Sequence, residues 1–273
     1  MKLRFYFLIL IALIGLFFLQ ISFSHPLSYV PSYPEVAIHS FVNTFQIPDE
    51  AYPLLYLQTG LGHAAIHKLV CQNETDLLYV LQSHLYETDK IIHSKKLCAI
   101  TDEDYMTHTK GEIIRHPYFV NLQDGDILIS LSTHTLGYRH GHAALVVDAT
   151  NNLTLESITI GIPSKYQHLD KWLEFPTVIQ LRLKDTEKIP EIVAFSKSHL
   201  MNLPYNLLTR QDASSIPSTT YCSHLVWTAF ARYGIDLNAN GGWFVLPMDL
   251  LNSDSLEIIQ VLGIDPSLFI AHT

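Results

Sequence analysis

The stretch that decides the fold lies at residues 138–147 and reads Tyr138-Arg139-His140-Gly141-His142-Ala143-Ala144-Leu145-Val146-Val147. Its second half alternates between two faces, and a period of two predicts a half-buried β-strand. Ala143, Leu145 and Val147 form the apolar face, and His142 lies on the other face. This strand is therefore expected to hold an imidazole on the side opposite its apolar contacts.

The strand that follows, residues 153–158, carries a carboxylate on the same side as His142. Leu153 and Leu155 continue the apolar face, so Glu156 falls on the other one. A turn centred on Ala149 places Glu156 directly across from His142, with about 4.5 to 5.5 Å between their Cβ atoms. A carboxylate in that position can hold the tautomer of an imidazole.

Two alternatives remain open at this pair of strands. A turn built on Asn151-Asn152 alone puts His142 and Glu156 on opposite faces and leaves the carboxylate as a solvated strand residue. His140 shares the face of His142 and is a rival candidate for a catalytic base.

Farther along the chain, a cysteine opens a predicted helix within the segment Thr219-Thr220-Tyr221-Cys222-Ser223-His224-Leu225-Val226-Trp227. A threonine cap, helically spaced apolar residues and the stop at Gly234 predict a helix over residues 218–233, with Cys222 in its first turn. Free amides and the positive end of the helix dipole lower the pKa of a thiol there, and the same amides can receive an oxyanion. The alternative interpretation is a buried, inert cysteine.

The remaining segments make the chain an α+β protein. Strands are predicted at residues 127–131, 141–147, 153–158 and 178–183, and helices at residues 187–200 and 218–233. We divide the chain into a leader at residues 1–24, a linker at 25–35, a helical accessory region at 36–115 and a second domain at 116–273 that holds the histidine strand and the cysteine helix.

The leader has the pattern of a secretory signal. Lys2 and Arg4 precede an apolar run from Phe5 to Leu19, and the small residues Ser22 and Ser24 follow it. Because a bilayer crossing needs about 20 residues, cleavage near Ser24 is favoured over a retained anchor. An uncleaved leader associates the protein with a membrane through residues 5–19, and in both cases the rest of the chain is expected outside the cytoplasm.

The composition excludes one class of partner. The chain has 273 residues and a formal net charge of −9, and it lacks the clustered Lys and Arg that neutralise phosphates. We therefore expect no nucleic-acid partner. The chain contains three cysteines, and either Cys71 and Cys98 form a disulfide or both are free thiols.

Three motifs occur in a set order along the chain: Gly125-Asp126-Ile127-Leu128, then Gly141-His142-Ala143-Ala144-Leu145-Val146-Val147, then Tyr221-Cys222-Ser223-His224-Leu225-Val226-Trp227. Together they resemble the permuted NlpC/P60 papain-like hydrolases of the YiiX/YycO type, in which the histidine strand precedes the cysteine helix. Residues 234–247 look like the tail of that family, and residues 59–62 look like a marker of its exported members. His224 stands where Glu or Gln is expected.

The resemblance implies a circularly permuted papain-like fold, with an antiparallel sheet packed on the cysteine helix and the helical region added at the N-terminal side. It implies Cys222 as nucleophile, His142 as base and Glu156 as the orienting residue, with no cofactor. Three further residues are expected to border the substrate: Tyr221, His140 and Trp243.

The function implied by the resemblance is that of an exported cysteine hydrolase that cleaves amide bonds in cell-wall peptides, with peptidoglycan as the partner. One alternative is a hydrolase or acyltransferase of acyl amides and acyl lipids, and another is a non-catalytic module that binds lipid or peptide. A metal site at His134, His140 and His142 is a competing interpretation. We expect no metal, because the chain has no HExxH motif.

Overall fold

The computed structural model describes residues 29–42 and 47–272, and the predicted leader lies outside these residues. The strands, in chain order, are β1 Ile91–Lys96, β2 Thr101–Thr107, β3 Ile127–Ser130, β4 Thr133–Thr135, β5 Tyr138–Arg139, β6 His142–Asp148, β7 Leu153–Glu156, β8 Lys165–His168, β9 Val178–Leu183 and β10 Leu256–Leu262. The α-helices are α1 His39–Val42, α2 Tyr52–Thr59, α3 His63–Cys71, α4 Asp76–Tyr86, α5 Ile189–His199, α6 Cys222–Ala231 and α7 Pro247–Leu251.

A six-stranded antiparallel sheet forms the centre of the molecule, in the order β10-β9-β3-β6-β7-β8. Its central strands bury both faces, because alternate residues enter different apolar clusters, whereas the edge strand β8 is mostly exposed. Ile127 and Ile129 pack in one cluster with the side chains of α5 and α6, and Leu128 packs in the other cluster with those of α2, α3 and α4. The protein is therefore an α+β fold in which an antiparallel sheet lies between two helical layers.

The predicted strands at 127–131, 141–147, 153–158 and 178–183 and the predicted helices at 187–200 and 218–233 are confirmed within a few residues at their ends. The strands were predictable because the residues of each strand segment alternate between two buried layers, or between a buried layer and a polar one.

The prediction of helix throughout residues 36–115 is wrong in its second half. The helices end at Tyr86, and β1 and β2 form an antiparallel hairpin that belongs to a second, four-stranded sheet with β4 and β5. β1 is mostly exposed, so it lacks the apolar alternation that identifies a strand. Instead, cross-strand ion pairs accompany the backbone pairing, with Lys95 3.3 Å from Glu103 and Lys96 2.9 Å from Asp102.

The segment before α1 contains no helix or strand between residues 29 and 38, and it is fastened to the helical layer. The Tyr33 hydroxyl donates to the carbonyl of Leu57 at 2.7 Å, and the Val36 amide donates to the Gln58 side chain at 2.8 Å. Within the part of the chain that the structure describes, no helix is long and apolar enough to cross a membrane.

The turn at residues 59–62 joins the helical layer to the central sheet. Gly60 accepts a hydrogen bond from the Val261 amide at 2.7 Å, and Gly62 donates one to the Ile259 carbonyl at 2.9 Å. A Cβ atom at Gly60 would lie 2.1 Å from the Val261 oxygen, and one at Gly62 would lie 2.0 Å from the Ile258 oxygen. The two glycines are needed because the backbone of β10 passes too close for any side chain.

We expect Gly60→Ala to lower the free energy of unfolding by about 2 to 4 kcal/mol, because it combines backbone overpacking with a strained positive φ. Gly161 is the matched control, since it also has a positive φ but has no atom within 4 Å of its Cβ position. Gly161→Ala isolates the strain of the backbone, and we expect about 1 kcal/mol from it. Urea denaturation of both variants measures the difference, and equal losses would contradict the role of close packing.

Candidate active site

Cys222 is the first residue of α6, where the backbone amides of the first turn have no partner in the helix. Tyr221 precedes it in an extended conformation, with φ −137° and ψ 172°. The thiol is 9% exposed, the Ser223 hydroxyl lies 3.8 Å from its sulfur, and the nearby Ala143 amide at the start of β6 lowers its pKa. The helix dipole and this amide both favour a thiolate at Cys222.

His142 is the first residue of β6, and its ring connects Cys222 to Glu156. Its Nε2 lies 2.8 Å from Glu156 Oε2, and its side chain lies beside the Cys222 thiol, close enough for the two groups to shift each other's pKa. Because Nε2 faces the carboxylate, Nδ1 is the nitrogen left for the thiol. Trp172 stacks on the imidazole, with 5.5 Å between ring centroids and 19° between planes. The ring is therefore fixed on both edges and on one face.

The structure brings Glu156 onto the side of the sheet expected for it, but not directly across from His142. Leu145 pairs with Leu155, so continued pairing puts Glu156 opposite Ala144 and diagonal to His142. The pairing shifts by one residue at a bulge between Val146 and Asp148, and the register beyond the bulge differs by two residues from that of the expected turn. The long carboxylate side chain reaches His142 along the diagonal.

The sequence did not predict two residues that donate hydrogen bonds to Glu156. Thr154 donates to Glu156 Oε1 at 2.6 Å, and the indole nitrogen of Trp172 donates to the same oxygen at 2.7 Å. Strand alternation places Thr154 on the face of Glu156, so its contact could have been inferred. No spacing rule identifies Trp172, which lies in the 3₁₀ helix Leu169–Glu174 after β8.

The three groups stabilise one another as charged species. Burial opposes the charge on His142, but its bonds to Cys222 and Glu156 outweigh burial and raise its pKa to about 10. Burial likewise opposes the Cys222 thiolate and the Glu156 carboxylate, yet the contact with His142 lowers the pKa of both. The directions of these shifts favour a thiolate, an imidazolium and a carboxylate at the site.

The three residues expected to border the substrate have different surroundings. The His140 ring contacts Thr135 Oγ1 at 2.9 Å and the Gly141 carbonyl at 2.8 Å, so its hydrogen bonds stay within its own turn. The buried Tyr221 hydroxyl accepts from the Val245 amide at 3.1 Å. Trp243 is 90% exposed, and nothing in the structure explains why this large aromatic side chain faces solvent. Neither His140 nor Tyr221 hydrogen-bonds to Cys222 or Glu156 among the contacts described.

His224 has a structural role in this fold. It is 1% exposed, and burial lowers its pKa to about 4, so the ring is neutral. It contacts Thr220 Oγ1 at 3.0 Å and the Arg210 carbonyl at 3.2 Å. A neutral imidazole that donates at one nitrogen and accepts at the other ties the loop before α6 to the helix itself.

Tyr205 is a further residue that the sequence did not reveal. It pairs with Thr220 in a short parallel bridge, two residues before Cys222. Burial raises the pKa of its phenol, and the nearby charge of Cys222 raises it further. Its hydroxyl makes no hydrogen bond among the residues that the structure describes. Among the described residues the phenol is therefore a donor without a partner, and it lies near Cys222.

Within the described residues, the other cysteines and histidines form no comparable site. Cys71, Cys98 and Cys222 are all free thiols in the structure. Across residues 29–42 and 47–272, no group of three His, Cys, Asp or Glu side chains is arranged to hold a metal ion.

Comparison with models of protein families, with curated proteins and with solved structures finds no match to this chain.

Proposed function

We propose that this chain is an exported cysteine hydrolase that cleaves amide bonds, built on a circularly permuted papain-like fold. The observation that carries the proposal is the continuous contact from Cys222 through His142 to Glu156, with the cysteine at a helix start. The antiparallel sheet packed on α6, and the position of the histidine strand before the cysteine helix, support the permuted arrangement.

The geometry suggests a two-step mechanism. The Cys222 thiolate attacks the carbonyl carbon of the substrate, and the amides at the start of α6 receive the oxyanion. The proton on His142 Nδ1 passes to the leaving amine as the C–N bond breaks, which leaves a thioester on Cys222. The neutral imidazole then takes a proton from water, whose oxygen attacks the thioester and releases the acid and the thiolate. Glu156 remains ionised throughout and holds Nε2–H.

The proposed substrates are cell-wall peptides, and acyl amides of lipids are the competing class. Incubation of the protein with purified peptidoglycan peptides and with acyl amide lipids, followed by mass spectrometry, distinguishes the two. A Cys222→Ala variant is the matched control for products that form without the thiol. If neither class gives a product that depends on Cys222, the protein is not an amide hydrolase of these substrates.

Thiol labelling tests the activation of Cys222 without any substrate. We expect iodoacetamide to modify Cys222 rapidly at pH 7, because contact with His142 lowers the pKa of the thiol. In His142→Ala the strongest opposition to burial is lost and the pKa of the thiol rises, so the rate at pH 7 should fall by about 10- to 100-fold and recover only as pH rises. Peptide mapping by mass spectrometry gives the rate at each cysteine.

Cys71 serves as the internal control in the same experiment. It is exposed on α3, so its labelling should be equal in the wild type and in His142→Ala. The melting temperature of His142→Ala shows whether the cavity left by the missing imidazole disturbs the fold. Slow labelling of Cys222 at the same rate in both proteins would show that the thiol is not activated.

A further inference from the structure

The loop that leads into α6, residues 206–219, is closed at its base. The Asn206 amide donates to the Thr220 carbonyl at 2.8 Å, and the Thr209 and Thr219 hydroxyls lie 2.7 Å apart. The Thr220 amide in turn donates to the Pro204 carbonyl at 3.0 Å. These contacts fix the ends of the loop beside the first turn of the cysteine helix.

The body of the loop is held by side chains of the catalytic domain. His224 on α6 contacts the Arg210 carbonyl at 3.2 Å, and Arg232 donates to the Ser214 carbonyl at 2.8 Å. Gln211 donates to the Gly242 carbonyl at 2.8 Å. A loop fastened at its base and along its length keeps its shape without a ligand, which lowers the entropic cost of binding one.

The loop encloses a cavity of about 360 Å³ that opens to solvent. Its wall includes the hydroxyl residues Thr209, Ser215, Ser218 and Thr219, and among the residues that line it Arg210 is the one cationic residue and Asp212 the one acidic residue. A polar wall with hydroxyls and a single guanidinium suits a ligand that carries a negative charge and accepts hydrogen bonds.

Arg210 has no acidic partner within the part of the chain that the structure describes. The nearest acid along the loop, Asp212, is already engaged. Its carboxylate accepts from the Ser214 and Ser215 hydroxyls, each at 2.6 Å, and from the Ser214 amide at 2.9 Å, and these bonds lower its pKa to about 2. The guanidinium of Arg210 is therefore left for a carboxylate supplied from outside, which it can bind through two parallel hydrogen bonds.

The cavity lies close enough to the nucleophile for one substrate to occupy both. Thr219 is on the cavity wall and is three residues before Cys222, so their Cα atoms are at most about 11 Å apart. An extended peptide covers that distance in about three residues.

We propose that the 206–219 loop is a substrate subsite in which Arg210 binds a peptide carboxylate two or three residues from the scissile bond. This rests on the proposed function, and it deepens that function by selecting acidic peptides over neutral acyl amides. The carboxylate belongs either to an acidic side chain or to a free C-terminus, since the same guanidinium chemistry serves both.

A positional scan tests the subsite directly. The probes are fluorescein-labelled alanine heptapeptides with one Glu at each position in turn, matched Gln versions, and a version with a free C-terminal carboxylate. Binding is measured by fluorescence anisotropy on the Cys222→Ala protein, so that the result does not depend on turnover. We expect at least one carboxylate peptide to bind about tenfold or more tightly than its neutral match, and this preference to weaken as salt rises.

Two substitutions assign the preference to Arg210. In the Cys222→Ala background, Arg210→Gln should reduce the acid-to-neutral ratio to about one, and Arg210→Lys should retain part of it because the charge remains. Lys197→Gln, on the exposed surface of α5, is the control for loss of one positive charge and should leave the ratio unchanged. For any acidic peptide that the wild type cleaves, Arg210→Gln should raise KM with kcat nearly constant.

The outcomes separate the subsite from the hydrolase. Carboxylate binding that depends on Arg210 supports the subsite even if no peptide is cleaved, in which case the proposed hydrolase alone fails. Cleavage of peptides with equal binding of the acid and neutral probes overturns the subsite and leaves the hydrolase standing. A preference for carboxylate peptides over neutral ones that persists in Arg210→Gln also overturns the proposed subsite.

Discussion

Replacing Cys222 with serine is expected to lower kcat on an amide substrate by about 10⁴- to 10⁶-fold, as for loss of the nucleophile in other triad enzymes. The hydroxyl keeps its proton at neutral pH, whereas the pKa of the Cys222 thiol is lowered by its contact with His142. In the variant no thiolate raises the pKa of His142, and the serine hydroxyl has to lose its proton during the attack itself. The loss should therefore appear in kcat, and KM should change little.

The other two cysteines provide the controls for this substitution. Cys71 is exposed on α3 and Cys98 lies between β1 and β2, so serine at either position should leave kcat within about threefold of the wild type. Thermal melting shows whether the Cys222→Ser protein remains folded. If that variant keeps more than a tenth of the wild-type rate, the nucleophile is not this thiol, and activation of water by another group has to be considered.

The approach of His142 and Glu156 was predictable from the sequence in one respect and unpredictable in another. Alternation alone put both side chains on one face, because each step along a strand reverses the side. The register depended on the turn, where Asn152 adopts a positive φ of 55° and the Asp148 side chain caps the Asn151 amide at 3.0 Å. The turn and a one-residue bulge beside it give a register that differs from the expected one by two residues, which preserves the face and changes the partner.

The contacts that complete the site could not be predicted, because they join segments without any local pattern. Trp172 reaches Glu156 from a 3₁₀ helix, and its placement depends on how β8 pairs with β7. The cavity at Arg210 depends on hydrogen bonds between the loop and α6, which no periodicity encodes. Cys222 at a helix start was predictable because apolar spacing is a local property, but the predicted threonine cap is wrong, since the N-cap residue is Tyr221 and its side chain makes no capping hydrogen bond.

The second large effect concerns Glu156, where glutamine is expected to be almost as damaging as alanine. In the wild type Oε1 accepts from both Thr154 and Trp172, and Oε2 faces His142. A glutamine side chain has one oxygen, so it cannot accept on both sides. We expect Glu156→Gln to lower kcat by about 10²- to 10⁴-fold, comparable to neutralisation of the acid in other triads.

The direction of the amide explains this loss. If its oxygen faces Trp172, its NH₂ group faces His142 and requires an unprotonated Nε2, which places the remaining ring proton on Nδ1 and removes the ability to accept the thiol proton. If the amide turns over, its NH₂ meets the indole N–H of Trp172, which cannot accept. Thr154 can escape this conflict, because its hydroxyl also lies 3.3 Å from the Gln167 carbonyl. Trp172 is therefore the residue that enforces the wrong orientation.

A double substitution tests this argument. Trp172→Phe removes the indole donor but keeps an aromatic ring beside His142, so alone it should lower kcat by no more than about tenfold. Combined with Glu156→Gln, it frees the amide to turn its oxygen toward His142, and the double variant should be about tenfold more active than Glu156→Gln alone. Glu156→Ala with Trp172→Phe is the matched control and should show no recovery, because no side-chain oxygen remains to accept from Nε2. If Glu156→Gln and the double variant Glu156→Gln with Trp172→Phe have equal activity, Glu156 acts through its charge rather than by setting the imidazole tautomer.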